Sequence, residues 1–203
     1  MTNVLQLLTD PARTLRILKR RISLLEVKKV QKDGQWYWSY KGDLYPEDVW
    51  GGNAASRVWP RVKQYCTGTG LDVGADRWPV EGALPVRNEP EQNAYKLDKF
   101  ADNSLDFVFS SHCLEHLDQP EAALSLWIHK LKPGGHIVLY LPHKDMKLWQ
   151  PGSPWVSDPM TGHKWSPTYS FIADFFAKQE VEVVDGVEGP DDYWSFHIVG
   201  RKR

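Results

Sequence analysis

Three short stretches gather the residue types that can do chemistry. Ser110, Ser111 and His112 stand together, with Cys113, Glu115 and His116 just beyond. Pro142-His143-Lys144-Asp145 forms a second group, and Asp72-Val73-Gly74 a third, in which an acid precedes a glycine. Imidazole titrates near neutral pH, so His112 and His143 are natural proton acceptors, with Asp145 a carboxylate alternative beside them. His112 and His116 are also spaced as ligands on one helix face, with Cys113 and His143 in reach. Neither C-x-x-C nor H-E-x-x-H occurs, and no metal is expected from the sequence.

These groups need a frame. Residues 105–110 and 136–141 read as buried strands joined by an amphipathic helix that stops at Lys132-Pro133-Gly134-Gly135. That is half of an open α/β sheet, and in such sheets ligands sit outside the carboxyl ends of the strands, where the first two groups fall. A helix capped by Asn53 leads to a first strand over 70–73. The next strand follows over 83–86, so the intervening crossover is too short for its usual helix and is reduced to a turn. A short third strand is expected over 95–97. Beyond Pro142 a long loop rich in Gly, Pro and Trp runs to Ser166, and Ser166-Pro167 opens a further helix. Strands over 181–187 and 195–201 then close the sheet as an antiparallel edge pair.

Upstream, Asp10-Pro11 starts a basic amphipathic helix carrying Leu15, Leu18, Ile22 and Leu25 on one face. It either packs those leucines on the domain or lies on an anionic membrane surface. Asp33-Gly34 between aromatic, alternating runs signals a hairpin, and 44–53 reads as connecting loop or lid. The chain divides into an N-terminal extension, 1–53, and a domain over 54–203.

The wording DNSLDFVFSSHCLEHL, followed by LKPGGHIVLYLP, resembles the class I S-adenosylmethionine-dependent methyltransferases. In particular it resembles small bacterial members that read D-N-S-F-D-x-V-x-S-S-H-x-L-E-H at this point. The resemblance implies an α/β, Rossmann-like fold, with a mostly parallel twisted sheet, helices on both faces and an antiparallel C-terminal edge. It implies S-adenosyl-L-methionine as cofactor, with Asp72 holding its ammonium and Gly74 and Ala75 forming the close turn. The family's ribose acid falls at Arg87 by direct alignment, which leaves Glu89 to take that part. Asp98 is either the reader of the adenine amino group or a loop aspartate. Ser111 and His112 come beside the transferable methyl group. His112 is either the base or a capping and cofactor-stacking residue, while His143 or Asp145 is either a base or part of the loop's own hydrogen bonding. Glu115 and His116 resemble packing residues. Trp149, Trp155 and Trp165 line a pocket, with His163 on the same surface.

The activity implied is methyl transfer, at oxygen, to a small-molecule or glycan-type acceptor, as in bacterial surface-polysaccharide pathways. Ala75-Asp76-Arg77 and Arg87 depart from the family pattern and favour the alternative, a non-catalytic module that has lost the cofactor and binds a partner or glycan.

Composition bounds the rest. With 25 Lys and Arg against 26 Asp and Glu, the net charge of −1 gives no general pull toward nucleic acid, and no nucleic-acid partner is expected. The charge is uneven, because eight Lys and Arg face only Asp10 and Glu26 up to Lys32. Cys66 and Cys113 are too few for a disulfide framework, and neither a long apolar run nor a leader is read, so a cytoplasmic protein is expected.

Overall fold

The computed structural model describes residues 14, 15, 18, 25–75, 77–151, 153 and 162–203. Most of the basic helix, together with Asp76 and Trp155, lies outside the described residues. The first described sheet is a meander of β1 (Lys28–Lys32), β2 (Gln35–Tyr40) and β3 (Asp43–Pro46). Its turns fall at Asp33-Gly34 and Lys41-Gly42, all four with positive φ, the backbone that a tight hairpin requires. β3 replaces part of the expected irregular segment, and a 3-10 turn, Glu47–Gly51, leads on to α1 (Ala55–Val62).

The main sheet consists of β4 (Gly70–Val73), β5 (Ala83–Val86), β6 (Leu105–Ser111), β7 (Leu131–Pro142), β8 (Val181–Val187) and β9 (Ser195–Lys202). Its order is β5-β4-β6-β7-β9-β8, parallel from β5 to β7 and antiparallel across β9 and β8. Among the described residues the link between β4 and β5 holds no helix, as its brevity requires. The strand expected over 95–97 does not form. That segment makes only isolated bridges, Glu89 to Gln92 and Asn93 to Lys96, so β5 is the sheet edge. β7 starts earlier than expected, because Leu131 pairs with Leu105 before a bulge brings His136 opposite Phe107.

Side chains alternate across a strand, and the sheet buries both faces accordingly. Ile137, Leu139 and Leu141 pack against α2 (Pro120–Lys130) and α3 (Tyr169–Lys178) through Leu124, Trp127, Ile172 and Phe176. Val138, Tyr140, Phe107 and Phe109 face the other way, onto Val58 and Val62 of α1 and onto Tyr40 and Tyr45 of the small sheet. The N-terminal meander therefore shares the second core. α3 begins where Thr168 Oγ1 accepts the Phe171 N–H at 3.2 Å, an N-cap that satisfies one free donor of the first turn. Among the described residues no helix is long and apolar enough to cross a membrane.

Candidate functional site

At the carboxyl end of β4 the chain turns at Gly74, with φ of +91°. A Cβ on this residue would lie 2.5 Å from Cys113 Cβ, so only glycine lets the β4 turn close against the segment leaving β6. Just before it, the Asp72 side chain is buried at 3% exposure, and its Oδ2 accepts the Val80 N–H at 2.9 Å. Burial, opposed by that hydrogen bond, raises the carboxyl to about 6.

Two cavities open beside this turn. One, of about 380 Å³, is bounded by Asp72, Ala75, Arg77 and Trp78 on one side and by Val49, Asn53, Trp149 and Tyr193 on the other. The second, of about 670 Å³, is bounded by Val86, Arg87, Asn88, Asn93 and Ala94. Gly74, His112 and His116 line both, so the cavities meet at the carboxyl ends of β4 and β6.

His112 occupies that junction in a left-handed backbone conformation, φ 50°, which is uncommon outside glycine and is sustained only by strong local constraint. The constraints are visible. Its N–H donates to Tyr140 O at 2.9 Å, its Nε2 lies 2.9 Å from Ser195 Oγ, and Trp149 meets its ring edge-on at 4.7 Å between centroids. Ser111, next to it, lines the smaller cavity and has a buried Oγ without a hydrogen-bond partner among the described residues.

The sequence profile of the methyltransferase-domain family matches residues 51–139, the span from the cavity roof to β7. Residues 51–139 thus match a methyltransferase domain, in line with the resemblance read from the sequence. Among solved structures, the 1,6-didemethyltoxoflavin-N1-methyltransferase of Burkholderia thailandensis, with its substrate and S-adenosylhomocysteine bound, has the same fold. It is 17% identical, with 76% of this chain and 81% of that chain covered and a TM-score of 0.56. The YcgJ protein of Bacillus subtilis (13% identity, 73% and 99% covered, TM-score 0.52) shares it too. So does an S-adenosylmethionine-dependent methyltransferase from Mesorhizobium loti (12%, 71% and 97%, 0.50). No curated protein matches the sequence. The residues present at the cavity junction fit S-adenosylmethionine, the cofactor that the resemblance implies. The Gly74 turn, the buried Asp72 acid and the Ser111 hydroxyl, which has no hydrogen-bond partner among the described residues, line the space where the two cavities join.

The structure gathers some of the expected residues and separates others. Asp72, Gly74, Ala75, Ser111 and His112 all line the smaller cavity. Glu89 is exposed and engaged through its backbone with Gln92, and Asp98 is exposed; among the described residues neither lines either cavity, whereas Arg87 lines the larger one. His143 is buried away from both, its Nδ1 accepting the Asp145 N–H at 3.2 Å and its ring set edge-on to Phe196, while Asp145 points largely to solvent. Of the three loop tryptophans, Trp149 lines the smaller cavity. Trp165 instead donates Nε1–H to Leu114 O and packs on Phe171.

Glu115 departs most from its expected packing role. It lies in a 3-10 turn, Leu114–His116, before α2, with a fully buried side chain. Three imidazoles surround it. His112 Nδ1, His163 Nε2 and His116 Nε2 lie 3.4, 3.7 and 3.9 Å from its Oε1. Burial works to raise this carboxyl, but the imidazoles, His112 foremost, outweigh it and hold the group at about 2. Burial also lowers His163 to about 4 despite the pull of Glu115.

Residues outside the expected set complete the wall. Val49, Asn53 and Ala54 reach the smaller cavity from the N-terminal side, held by Tyr193 OH donating to Asp48 O and Trp194 Nε1 donating to Leu44 O. A 3-10 turn and short loop have no periodic signature, so nothing in the sequence marked them beyond Gly51-Gly52. Asn93 and Ala94 line the larger cavity in a segment fixed by Trp127 Nε1–H donating to Ala94 O at 2.8 Å.

Proposed function

We propose that this methyltransferase transfers a methyl group to an oxygen of a small-molecule or glycan-type acceptor, with the acceptor in the 380 Å³ cavity and the nucleoside part of S-adenosylmethionine in the 670 Å³ cavity. The observation that carries this reading is the junction itself, where Gly74 and His112 belong to both spaces. Methyl transfer is an in-line displacement, so its main demand is that donor and acceptor meet in a fixed geometry. Asp72 would pair with the cofactor's ammonium group through a charge-assisted bond, Gly74 and Ala75 would admit its methionine part, and Ser111 would offer its hydroxyl. In place of a ribose carboxylate, Asn88 and Asn93 line the larger cavity and carry both donor and acceptor atoms.

His112 is the general base in this reading. It lines the acceptor space, is held from several sides, and has a hydroxyl chemistry to serve only if the acceptor atom is oxygen. Trp78, Trp149 and Tyr193 give the acceptor cavity three aromatic walls, a surface suited to the flat apolar face of a sugar ring or an aromatic acceptor. A cytoplasmic bacterial enzyme of surface-polysaccharide synthesis fits these features. The test is methyl transfer from radiolabelled S-adenosylmethionine to sugar nucleotides, free glycosides and phenols, assayed side by side. Label in an alkali-stable ether on one class supports the reading, whereas label found only on a nitrogen atom, or transfer to none of the three classes, overturns it.

A further inference from the structure

Beyond the cofactor and base, we propose that Glu115, His116 and His163 form a divalent-cation site in the wall of the acceptor cavity. The candidate ligand atoms, one from each residue, lie within 4.8 Å of one another. Both carboxylate oxygens of Glu115 are buried away from water and, among the described residues, neither is paired with hydrogen-bond geometry, His112 Nδ1 standing 3.4 Å from Oε1. A buried carboxylate left in that state is costly and calls for a cationic partner.

The spacing favours a metal over direct hydrogen bonds. His163 Nε2 and His116 Nε2 stand 3.7 and 3.9 Å from Glu115 Oε1, too far to bond to it. Two ligand atoms each about 2.1 Å from a tetrahedral centre are separated by roughly 3.4 Å, close to what is seen. The outer shell agrees as well. His116 Nδ1 donates to Gly162 O at 3.3 Å. The His116 bond puts the ring proton on Nδ1 and leaves Nε2 with a lone pair toward Glu115, the arrangement that orients metal-binding imidazoles.

One carboxylate and two imidazoles suit zinc, iron(II), cobalt(II) or manganese(II) rather than magnesium or calcium, which prefer all-oxygen shells. Three protein ligands leave a coordination position open, and His116 and His163 both line the acceptor cavity. An acceptor hydroxyl bound there would lose its proton more readily, beside His112. The sequence alone pointed elsewhere, because His163 reaches Glu115 from the far side of the loop after β7 and no local spacing announces it.

The experiment uses the untagged full chain, stripped with chelator and free of cofactor, titrated with Co²⁺ and followed by visible absorption, then with Zn²⁺ in competition. The expected result is one equivalent of Co²⁺ bound with a d–d spectrum that Zn²⁺ displaces, weakened at least about tenfold in Glu115→Gln, His116→Gln and His163→Gln. Circular dichroism confirms folding of each variant, and the exposed edge of His116 makes that substitution the mildest. Absence of saturable binding, or binding unchanged in all three variants, overturns the site. Because no cofactor is present, this outcome is distinct from failure of the methyltransferase reading, which an S-adenosylhomocysteine titration of the same protein examines separately.

Discussion

Replacing Asp72 by Asn should make the cofactor-free protein more stable and its ligand binding worse. The wild-type carboxyl moves from 3.8 in the unfolded chain to about 6 in the folded one, because burial disfavours its charged form. A raised carboxyl favours folding at low pH, since the folded state holds the proton more tightly. That contribution is complete below pH 4 and is lost as pH rises through 6. Relative to the acid limit, the folded state at pH 7.5 is penalised by about two pK units at 1.36 kcal/mol each, or about 3 kcal/mol. Asparagine carries no charge, and its amide oxygen can still accept the Val80 N–H. Urea unfolding followed by tryptophan fluorescence should therefore show the variant ahead by about 3 kcal/mol at pH 7.5, with the gap closing toward pH 4. A thermal scan should show a shift of roughly 6–12 °C. Calorimetry should show S-adenosylhomocysteine bound about 10- to 100-fold more weakly, the value of one charge-assisted hydrogen bond. A variant no more stable than wild type at pH 7.5, or a gap that does not vary with pH, would refute the reasoning.

Other substitutions address separate parts of the account. Gly74→Ala forces a methyl group against Cys113 and a positive φ on a residue with a side chain; a loss of about 1–3 kcal/mol in urea unfolding and of S-adenosylhomocysteine binding by calorimetry is expected. His112→Gln should lower kcat by about 10²–10⁴ while the cofactor dissociation constant changes only a few-fold, checked by kinetics beside calorimetry. Trp127→Ala removes the largest fully buried side chain and its bond to Ala94, so unfolding should cost about 3–5 kcal/mol less, with weakened cofactor binding from the loosened Asn93-Ala94 wall. Trp149→Ala should raise the acceptor KM in the transfer assay more than it alters cofactor affinity, since Trp149 lines only the acceptor side.

The sheet was readable because its strands are apolar runs whose alternation shows in the structure as two cores, with Ile137, Leu139 and Leu141 on one and Val138 and Tyr140 on the other. Asp33-Gly34 likewise announced its hairpin by turn chemistry alone. What escaped was set by contacts distant in the chain. β7 extends back to Leu131 only because Leu105 pairs with it across a bulge. The segment 95–97 suggested a strand by its apolar ends, yet it joins no sheet, since the sheet ends with β5 and the neighbouring Ala94 is tied to Trp127. At the site, Asp72, Gly74 and His112 were legible as a strand-end acid, a turn glycine and a titratable residue. The roof of Val49, Asn53 and Ala54 and the approach of His163 to Glu115 were not, because each brings together chain segments that meet only after folding.

The central claim is that two cavities meeting at His112 hold donor and acceptor for methyl transfer. A crystal structure of the S-adenosylhomocysteine complex tests it most directly. The account predicts the adenosine between Val86 and the Asn93-Ala94 segment, the ammonium group at Asp72, and the sulfur at Gly74 and His112 facing the space walled by Trp149 and Tyr193. Density for the ligand outside the larger cavity, or a sulfur turned away from His112, would contradict it.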